Sequence, residues 1–152
     1  MALNQKEQQL IQQLQDQETL CIKKYDRYME QAKDPELKNL FKELKENEQN
    51  HFDALAHIKN NESGKPSLTP VDAANYNPKA TYTSGCNTAD KENDEFLCTD
   101  AISTEKYIST EYNDELFQFA STQVRDTLNQ IQTDEQNHAN MIYKYKTANG
   151  MA

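Results

Sequence analysis

The chain has 152 residues, a formal net charge of −9 and a pI near 4.8; it carries no basic footprint for nucleic acid, and its acidic surface would repel phosphates. Only 36% of its residues are hydrophobic, mean hydropathy is −1.02, and no apolar run approaches the roughly 18 residues that cross a bilayer, so no membrane partner is expected. Gly (3) and Pro (4) are too scarce for a loop-rich chain, and one all-α domain over 1–152, built of long amphipathic helices, is the expectation.

The N-terminal MALNQKEQQL lacks the apolar centre of a signal peptide, and the first helix is expected over about 3–32. Its apolar positions Leu10, Leu14, Cys21, Tyr25, Tyr28 and Ala32 recur at helical spacing. Asp34-Pro35-Glu36 then reads as a stop and restart: Asp caps a new N-terminus, Pro suits the first helical position, and Glu favours the positive end of the dipole. The second helix, 35–59, carries Leu37, Phe41, Leu44, Leu55 and Ile58 on its stripe, and Asn60-Asn61-Glu62-Ser63-Gly64 ends it. From about 60 to 88 the chain has no sustained period and holds Gly64-Lys65-Pro66, Asn77-Pro78 and Ser84-Gly85. A loop this long needs a reason, and a bundle whose second and third helices run parallel supplies one, because the connection must return a whole helix length. The third helix, 89–120, buries Leu97 or Cys98, Ala101, Ile108, Tyr112 and Phe119; the fourth, 122–147, capped by Ser121 or Thr122, buries Val124, Leu128, Ile131, Ile142 and Tyr145. Two helical hairpins and a long crossover between helices 2 and 3 make a four-helix bundle.

Three cysteines are an odd number without close pairing. Cys21 and Cys98 fall in helical patterns and read as small hydrophobes, whereas Cys86, in the crossover, could cross-link to another chain in an oxidising setting.

One tetrapeptide occurs twice, Glu48-Gln49-Asn50-His51 and Glu135-Gln136-Asn137-His138, at an offset of 87 residues. The same offset matches Glu18 with Glu105, Tyr25 with Tyr112, Leu37 with Val124 and Leu44 with Ile131, so the hairpins read as a tandem repeat. The second stripe runs 37, 41, 44, 48, 51, 55, 58 and the fourth 124, 128, 131, 135, 138, 142, 145, in alternating steps of four and three that turn Glu48, His51, Glu135 and His138 inward. Glu18 lies between Leu14 and Cys21, and Glu105 between Ala101 and Ile108, on the buried faces of their helices. Heights agree too: the midpoint of 18 and 48 falls at the Lys33-Asp34 turn, and that of 105 and 135 at the Ala120-Ser121 turn.

Four buried carboxylates would each cost several kcal/mol of desolvation and would repel one another. No Lys or Arg lies on these stripes at that height, so metal cations are the simplest partners. One Glu from each of two helices plus Glu-x-x-His from each of the other two is the ligand set of ferritin-like di-iron and di-manganese bundles. A single Glu-x-x-His pair is ordinarily a surface pair; it is the two inward copies with two matched glutamates that make the set specific. His57, six residues beyond His51, is turned off the ligand face and reads as a solvated or capping residue, and Glu43, Glu46, Glu111 and Glu115 read as a solvated acidic face. Tyr25 and Tyr112 follow Glu18 and Glu105 by seven residues on the same faces. They read either as core aromatics or as phenols that hydrogen-bond the ligand carboxylates.

The stretches Asp94-Glu95-Phe96-Leu97-Cys98-Thr99-Asp100, Thr104-Glu105-Lys106-Tyr107, Tyr112-Asn113, Gln132-Thr133-Asp134-Glu135-Gln136-Asn137-His138 and Met141-Ile142-Tyr143 together resemble the spore coat protein F family of endospore-forming bacteria. The resemblance is best over 90–147 and weaker over 5–58. It implies a ferritin-like fold and an intracellular location in the spore or its coat. Similarity to ferritin-like di-metal proteins further implies Glu18 and Glu105 as terminal carboxylates, Glu48 and Glu135 as bridges, and His51 and His138 as terminal imidazoles. Two functions then compete. One is a dinuclear iron or manganese protein that reacts with oxygen or peroxide or stores metal; the other is a structural coat component in which a vestigial or purely structural site, open to zinc, acts as a staple and Tyr76, Tyr82 and Cys86 contact neighbours. Expected partners are metal ions, other coat proteins and a second copy of the chain as a homodimer.

Overall fold

The computed structural model describes residues 2–152 apart from Ser84 and Cys86; the cross-linking option for Cys86 therefore lies outside the described residues. Among those described, the chain forms four α-helices and no strand: α1 Gln5–Gln31, α2 Pro35–Lys59, α3 Ala89–Glu115 and α4 Thr122–Ala148. Helices of 25 to 27 residues run about 40 Å at 1.5 Å per residue.

Local chemistry sets where each helix starts. Asn4 accepts from the Glu7 amide while the Glu7 carboxylate accepts from the Asn4 amide, a capping box that begins α1 two residues later than the apolar pattern indicates. Asp34 accepts from the Glu36 amide with Pro35 in the first turn, Thr88 accepts from the Lys91 amide, and Ser121 from the Val124 amide. The buried stripe of α1 also shifts: Ile11 is in the core and Leu10 only packs against its edge, because the four-three row through Leu14, Glu18 and Cys21 extends back to 11. Helix α3 is shorter than expected. It ends at Glu115, a 3-10 turn covers Leu116–Gln118, and Phe119 departs in extended conformation. A 3-10 turn eclipses side chains three apart, and here it buries Leu116 and Phe119 together. The Arg125 guanidinium donates to the Phe119 and Ala120 carbonyls that the early ending leaves free.

α1 packs on α2 and α3 on α4 as two hairpins. Between hairpins, Tyr25 bonds Glu105 while Tyr112 bonds Glu18, so α1 and α3 run antiparallel; His51 with Asp134 and Asn47 with His138 show the same for α2 and α4. Helix α3 is therefore parallel to α2, and residues 60–88 return the length of the bundle. This crossover is pinned along its path. Ala73 is buried, Val71, Tyr76 and Tyr82 pack on the core, Lys144 donates to the Ala73 carbonyl at 2.6 Å, and Asn149 Oδ1 accepts from the amides of Thr81 and Tyr82. Tyr76 and Tyr82 thus contact their own bundle.

The apolar core divides in two. One cluster gathers Tyr25, Leu37, Phe41, Leu44, Leu97 and Ile142, the other Ile11, Leu14, Leu55, Ile108, Leu128 and Ile131. On α2, α3 and α4 the predicted site residues fall between positions of the first cluster and positions of the second, and on α1 Glu18 sits between Leu14 and Cys21 of the second, with Tyr25, of the first, one turn beyond Cys21.

The turn between α1 and α2 is held by one buried carboxylate. Asp94 accepts from the amides of Lys33 and Asp34, each at 2.9 Å, and from the Tyr82 hydroxyl at 2.6 Å. Asp94→Ala leaves these donors unpaired, and a loss of about 3 kcal/mol is expected, read as a lower urea midpoint with unchanged helical circular dichroism.

Candidate metal centre

All six residues singled out by spacing meet in one place. Glu18 comes from α1, Glu48 and His51 from α2, Glu105 from α3, and Glu135 and His138 from α4; none is more than 1% exposed. Their ligand-capable atoms form two groups, Glu18, Glu48, His51 and Glu135 in one and Glu48, Glu105, Glu135 and His138 in the other, each lying within 4.8 Å of one another. Glu48 and Glu135 belong to both. His51 Nδ1 lies 2.9 Å from Glu135 Oε1 and 3.8 Å from Glu18 Oε1; His138 Nδ1 lies 2.8 Å from Glu48 Oε1 and 3.3 Å from Glu105 Oε1. The two rings stack 5.8 Å apart at 14°, as the offset of 87 requires of symmetric hairpins.

The far sides of these groups are tied down in pairs, each bond crossing from one hairpin to the other. Tyr25 Oη donates to Glu105 Oε1 and Tyr112 Oη to Glu18 Oε1, both at 2.5 Å; the two aromatics are core residues and carboxylate anchors at once. His51 Nε2 pairs with Asp134 Oδ2 at 2.8 Å, and His138 Nε2 with Asn47 Oδ1 at 2.7 Å. A carboxylate accepts, so His51 donates from Nε2. Asn47 Nδ2 donates to the Thr69 carbonyl at 2.9 Å, which turns Oδ1 toward His138 and makes that ring donate from Nε2 too. Both imidazoles are left with Nδ1 facing the cluster. Asp134 and Asn47 are functional positions that the apolar stripes do not reveal. Their signal is subtler: they are related by the same offset of 87, and each precedes its helix's His by four residues. His57 lies outside the cluster, against a small cavity formed with Leu3, Glu62 and Val124.

Charge in this layer is unbalanced. Among the described residues no Lys or Arg pairs with these carboxylates; only the two imidazoles do. Burial, then the Glu48 charge, pushes the Glu18 carboxyl well up, and burial with the Glu105 and Glu48 charges does the same to Glu135. Burial acts on Glu48 as well, but protonated Glu18 and the imidazoles outweigh it and hold that carboxyl well below its ordinary range. For the imidazoles, burial is outweighed by the facing carboxylates: His51 is raised well above its ordinary value by Asp134 and Glu135, and His138 is pushed up to about 10 by Glu105 and Glu48. Burial and the adjacent carboxylates keep the phenols of Tyr25 and Tyr112 protonated as donors. Cys21 and Cys98 are buried thiols, Cys98 pushed up to about 12 by burial.

The donor set fits cations. Glu18 Oε2, both oxygens of Glu48 and of Glu135, Glu105 Oε2 and His51 Nδ1 are buried without a hydrogen-bond partner. Orphaned buried polar atoms are costly and scarce, and here they are gathered in one cluster. His51 Nδ1 to Glu135 Oε1 at 2.9 Å and His138 Nδ1 to Glu48 Oε1 at 2.8 Å match the separation of about 3 Å expected of neighbouring ligands on an ion bound at about 2.0 to 2.1 Å, and the other approaches of Nδ1 to a carboxylate are 3.3 to 3.9 Å.

Residues 93–152 match the Coat F domain. The Coat F match spans most of α3 and all of α4, and so carries Glu105, Asp134, Glu135 and His138; Glu18, Asn47, Glu48 and His51 stand in the first hairpin, outside it. No curated protein and no solved structure matches the chain.

The protonation pattern predicts how the metal-free protein responds to pH. Above the ordinary carboxyl value of 4.5, folded Glu18 and Glu135 still hold protons that the unfolded chain has released, and above 6.5 the same holds for His51 and His138. Their contribution is complete below those unfolded values and is lost as pH rises through the folded ones, to about 10 for His138. Glu48 works the other way, its contribution being lost only as pH falls through its lowered value. Chelator-treated protein is therefore expected to melt at progressively lower temperature from mildly acidic to mildly alkaline pH. Metal-loaded protein should show the reverse, because binding needs deprotonated ligands. A metal-free Tm that climbs across that window contradicts the clustering.

Proposed function

We propose that this chain is a spore-coat-associated, single-domain bundle of the ferritin-like type that binds two iron or manganese ions and reacts with oxygen or peroxide or stores the metal. The observation that carries the reading is the pair of overlapping ligand groups that share Glu48 and Glu135, with the unpartnered atoms pointing into them. Glu18 and His51 would then help hold one ion, and Glu105 and His138 the other. Two +2 ions offset four glutamates, which removes the imbalance that the imidazoles only partly relieve. Mixed carboxylate and imidazole donors suit iron and manganese alike. When bound, such a pair supplies two-electron redox chemistry toward dioxygen or peroxide. The chain's own residues do the rest. Tyr25 and Tyr112 hold Glu105 and Glu18 in one orientation, Asp134 and Asn47 aim Nδ1 of each imidazole, and the apolar clusters above and below keep bulk water out. The Coat F domain match supports the spore coat as location and coat proteins as partners, with a homodimer as one assembly to test.

A second reading is a structural coat component with a redox-inert ion such as zinc, or with a vestigial site. Each ligand group draws on both hairpins, so any divalent ion there would staple the bundle. Peroxide consumption by metal-loaded protein separates the two readings: turnover supports the first, and tight zinc without turnover the second.

Metal analysis after reconstitution is expected to give about two ions per chain, the stoichiometry of this ligand set. Glu48→Ala with Glu135→Ala should abolish binding, and His57→Ala should leave it intact; loss of both ions on changing His57 alone would refute the assignment. Asp134→Asn keeps the hydrogen bond but not the charge behind His51, and should weaken affinity by roughly 10 to 100-fold, measured by competition with a chelating dye.

A further inference from the structure

The two hairpins repeat each other at the centre but not on their outer faces. A cavity of about 380 Å³ opens between α3 and α4, lined by Lys106, Ser109, Gln136 and Ala139 together with Glu105 and Glu135, whose carboxylates stay buried just behind it. On the opposite face, between α1 and α2, a cavity of about 180 Å³ is lined by Thr19, Ile22, Lys23, Gln49 and Phe52. Shifting each of those five by 87 gives Lys106, Ser109, Thr110, Gln136 and Ala139, so the second cavity is the repeat of the first. It differs in depth: neither Glu18 nor Glu48 lines it. Four of the five positions differ between the repeats, and two of the four change side-chain bulk beside the centre. Ile22 stands where the other hairpin has Ser109, and Phe52 where it has Ala139, and the larger side chains stand at the positions that leave the α3–α4 cavity open as far as Glu105 and Glu135.

We propose that divalent ions enter and leave the centre through the α3–α4 face, between Ser109 and Ala139, while Ile22 and Phe52 close the α1–α2 face. The inference rests on the metal-binding reading above and adds a direction to it. A cation arriving by this route comes up against the two residues whose carboxylates lie buried just beyond the cavity, where the low dielectric around them concentrates their field. Lys106 at the exposed rim opposes entry only weakly, being solvated and screened. Glu105 and Glu135 belong to the group that includes His138, so that group receives an entering ion first. Since Glu135 is common to both groups, it can hand the ion inward.

The test uses the intact chain and cobalt(II), whose visible absorption reports binding independently of any turnover. Ser109→Ile with Ala139→Phe copies the closed face onto the open one. It should slow uptake at least about tenfold, equivalent to about 1.4 kcal/mol of added barrier, while the final stoichiometry stays at the wild-type value. Because added bulk strains a packed site, a second arm blocks the route after folding. In a Cys86→Ser background, Ala139→Cys treated with a bulky thiol-specific disulfide reagent should load slowly and recover on reduction, whereas Lys23→Cys, on the α1–α2 face with Ile22 and Phe52 kept, should load at its untreated rate when treated alike. Undiminished uptake by blocked Ala139→Cys overturns the route while leaving the metal centre standing. Failure of the untreated wild-type chain to bind cobalt, manganese or iron overturns both.

Discussion

Four glutamates and two imidazoles, drawn from all four helices, are buried in a layer between two apolar clusters, and the rest of the bundle is arranged around that charge. Apolar contact alone would let the hairpins slide or rotate, because leucine stripes are tolerant of register. A buried carboxylate is not tolerant: each one displaced from its partner costs several kcal/mol. The bonds from Tyr25 to Glu105, Tyr112 to Glu18, His51 to Asp134 and His138 to Asn47 all cross between hairpins. They fix the antiparallel pairing of α1 with α3 and α2 with α4 and hence the parallel course that the crossover must span.

Those same bonds explain why the layer persists as a set of positions rather than a loose acidic pocket. Glu18, Glu105, His51 and His138 each have one side held by a neutral or charged partner, and Glu18, Glu105 and His51 each keep an unpaired atom on the side facing the cluster. A layer optimised only for the metal-free fold would satisfy those atoms or replace them by hydrocarbon, which is often no less stable. Leaving them unpaired makes sense when a positive ion is the missing partner, and the protonation of Glu18, Glu135, His51 and His138 is the substitute that the metal-free chain adopts.

Much of this was legible in the sequence because helical periodicity is a geometric constraint on single residues. Steps of four and three placed Glu48, His51, Glu135 and His138 on the inner faces, Asp34-Pro35 set the start of α2 to the residue, and the Gly and Pro clusters marked the crossover. What escaped was pairwise. Whether Leu10 or Ile11 enters the core depends on the row that Glu18 imposes. The end of α3 depends on Leu116 and Phe119 seeking the same pocket, and no cap residue announces it. Asp134 and Asn47 look like surface polar residues until the opposite hairpin supplies an imidazole, and the depth of the α3–α4 cavity depends on side-chain size at Ser109 and Ala139, which no ligand pattern records.

The repeat is therefore best understood as a symmetric centre inside an asymmetric frame. Positions that touch charge are kept alike in both hairpins, as with Glu18 and Glu105 or Tyr25 and Tyr112, since a change there strands a buried group. Positions one layer out differ freely. Asp134 puts a full negative charge behind His51, whereas Asn47 puts only an amide dipole behind His138 and is itself oriented by Thr69 of the crossover. A charged acceptor makes the imidazole in front of it a stronger electron donor than an amide does, so the two ligand groups are chemically unequal although their residues are the same. The group fronted by Glu105 and His138 faces the open cavity and has the weaker support; the group of Glu18 and His51 is sealed behind Ile22 and Phe52 and has the stronger. On the proposed reading, access and ligand strength run in opposite directions across the centre, an arrangement that would draw an ion inward and hold it there.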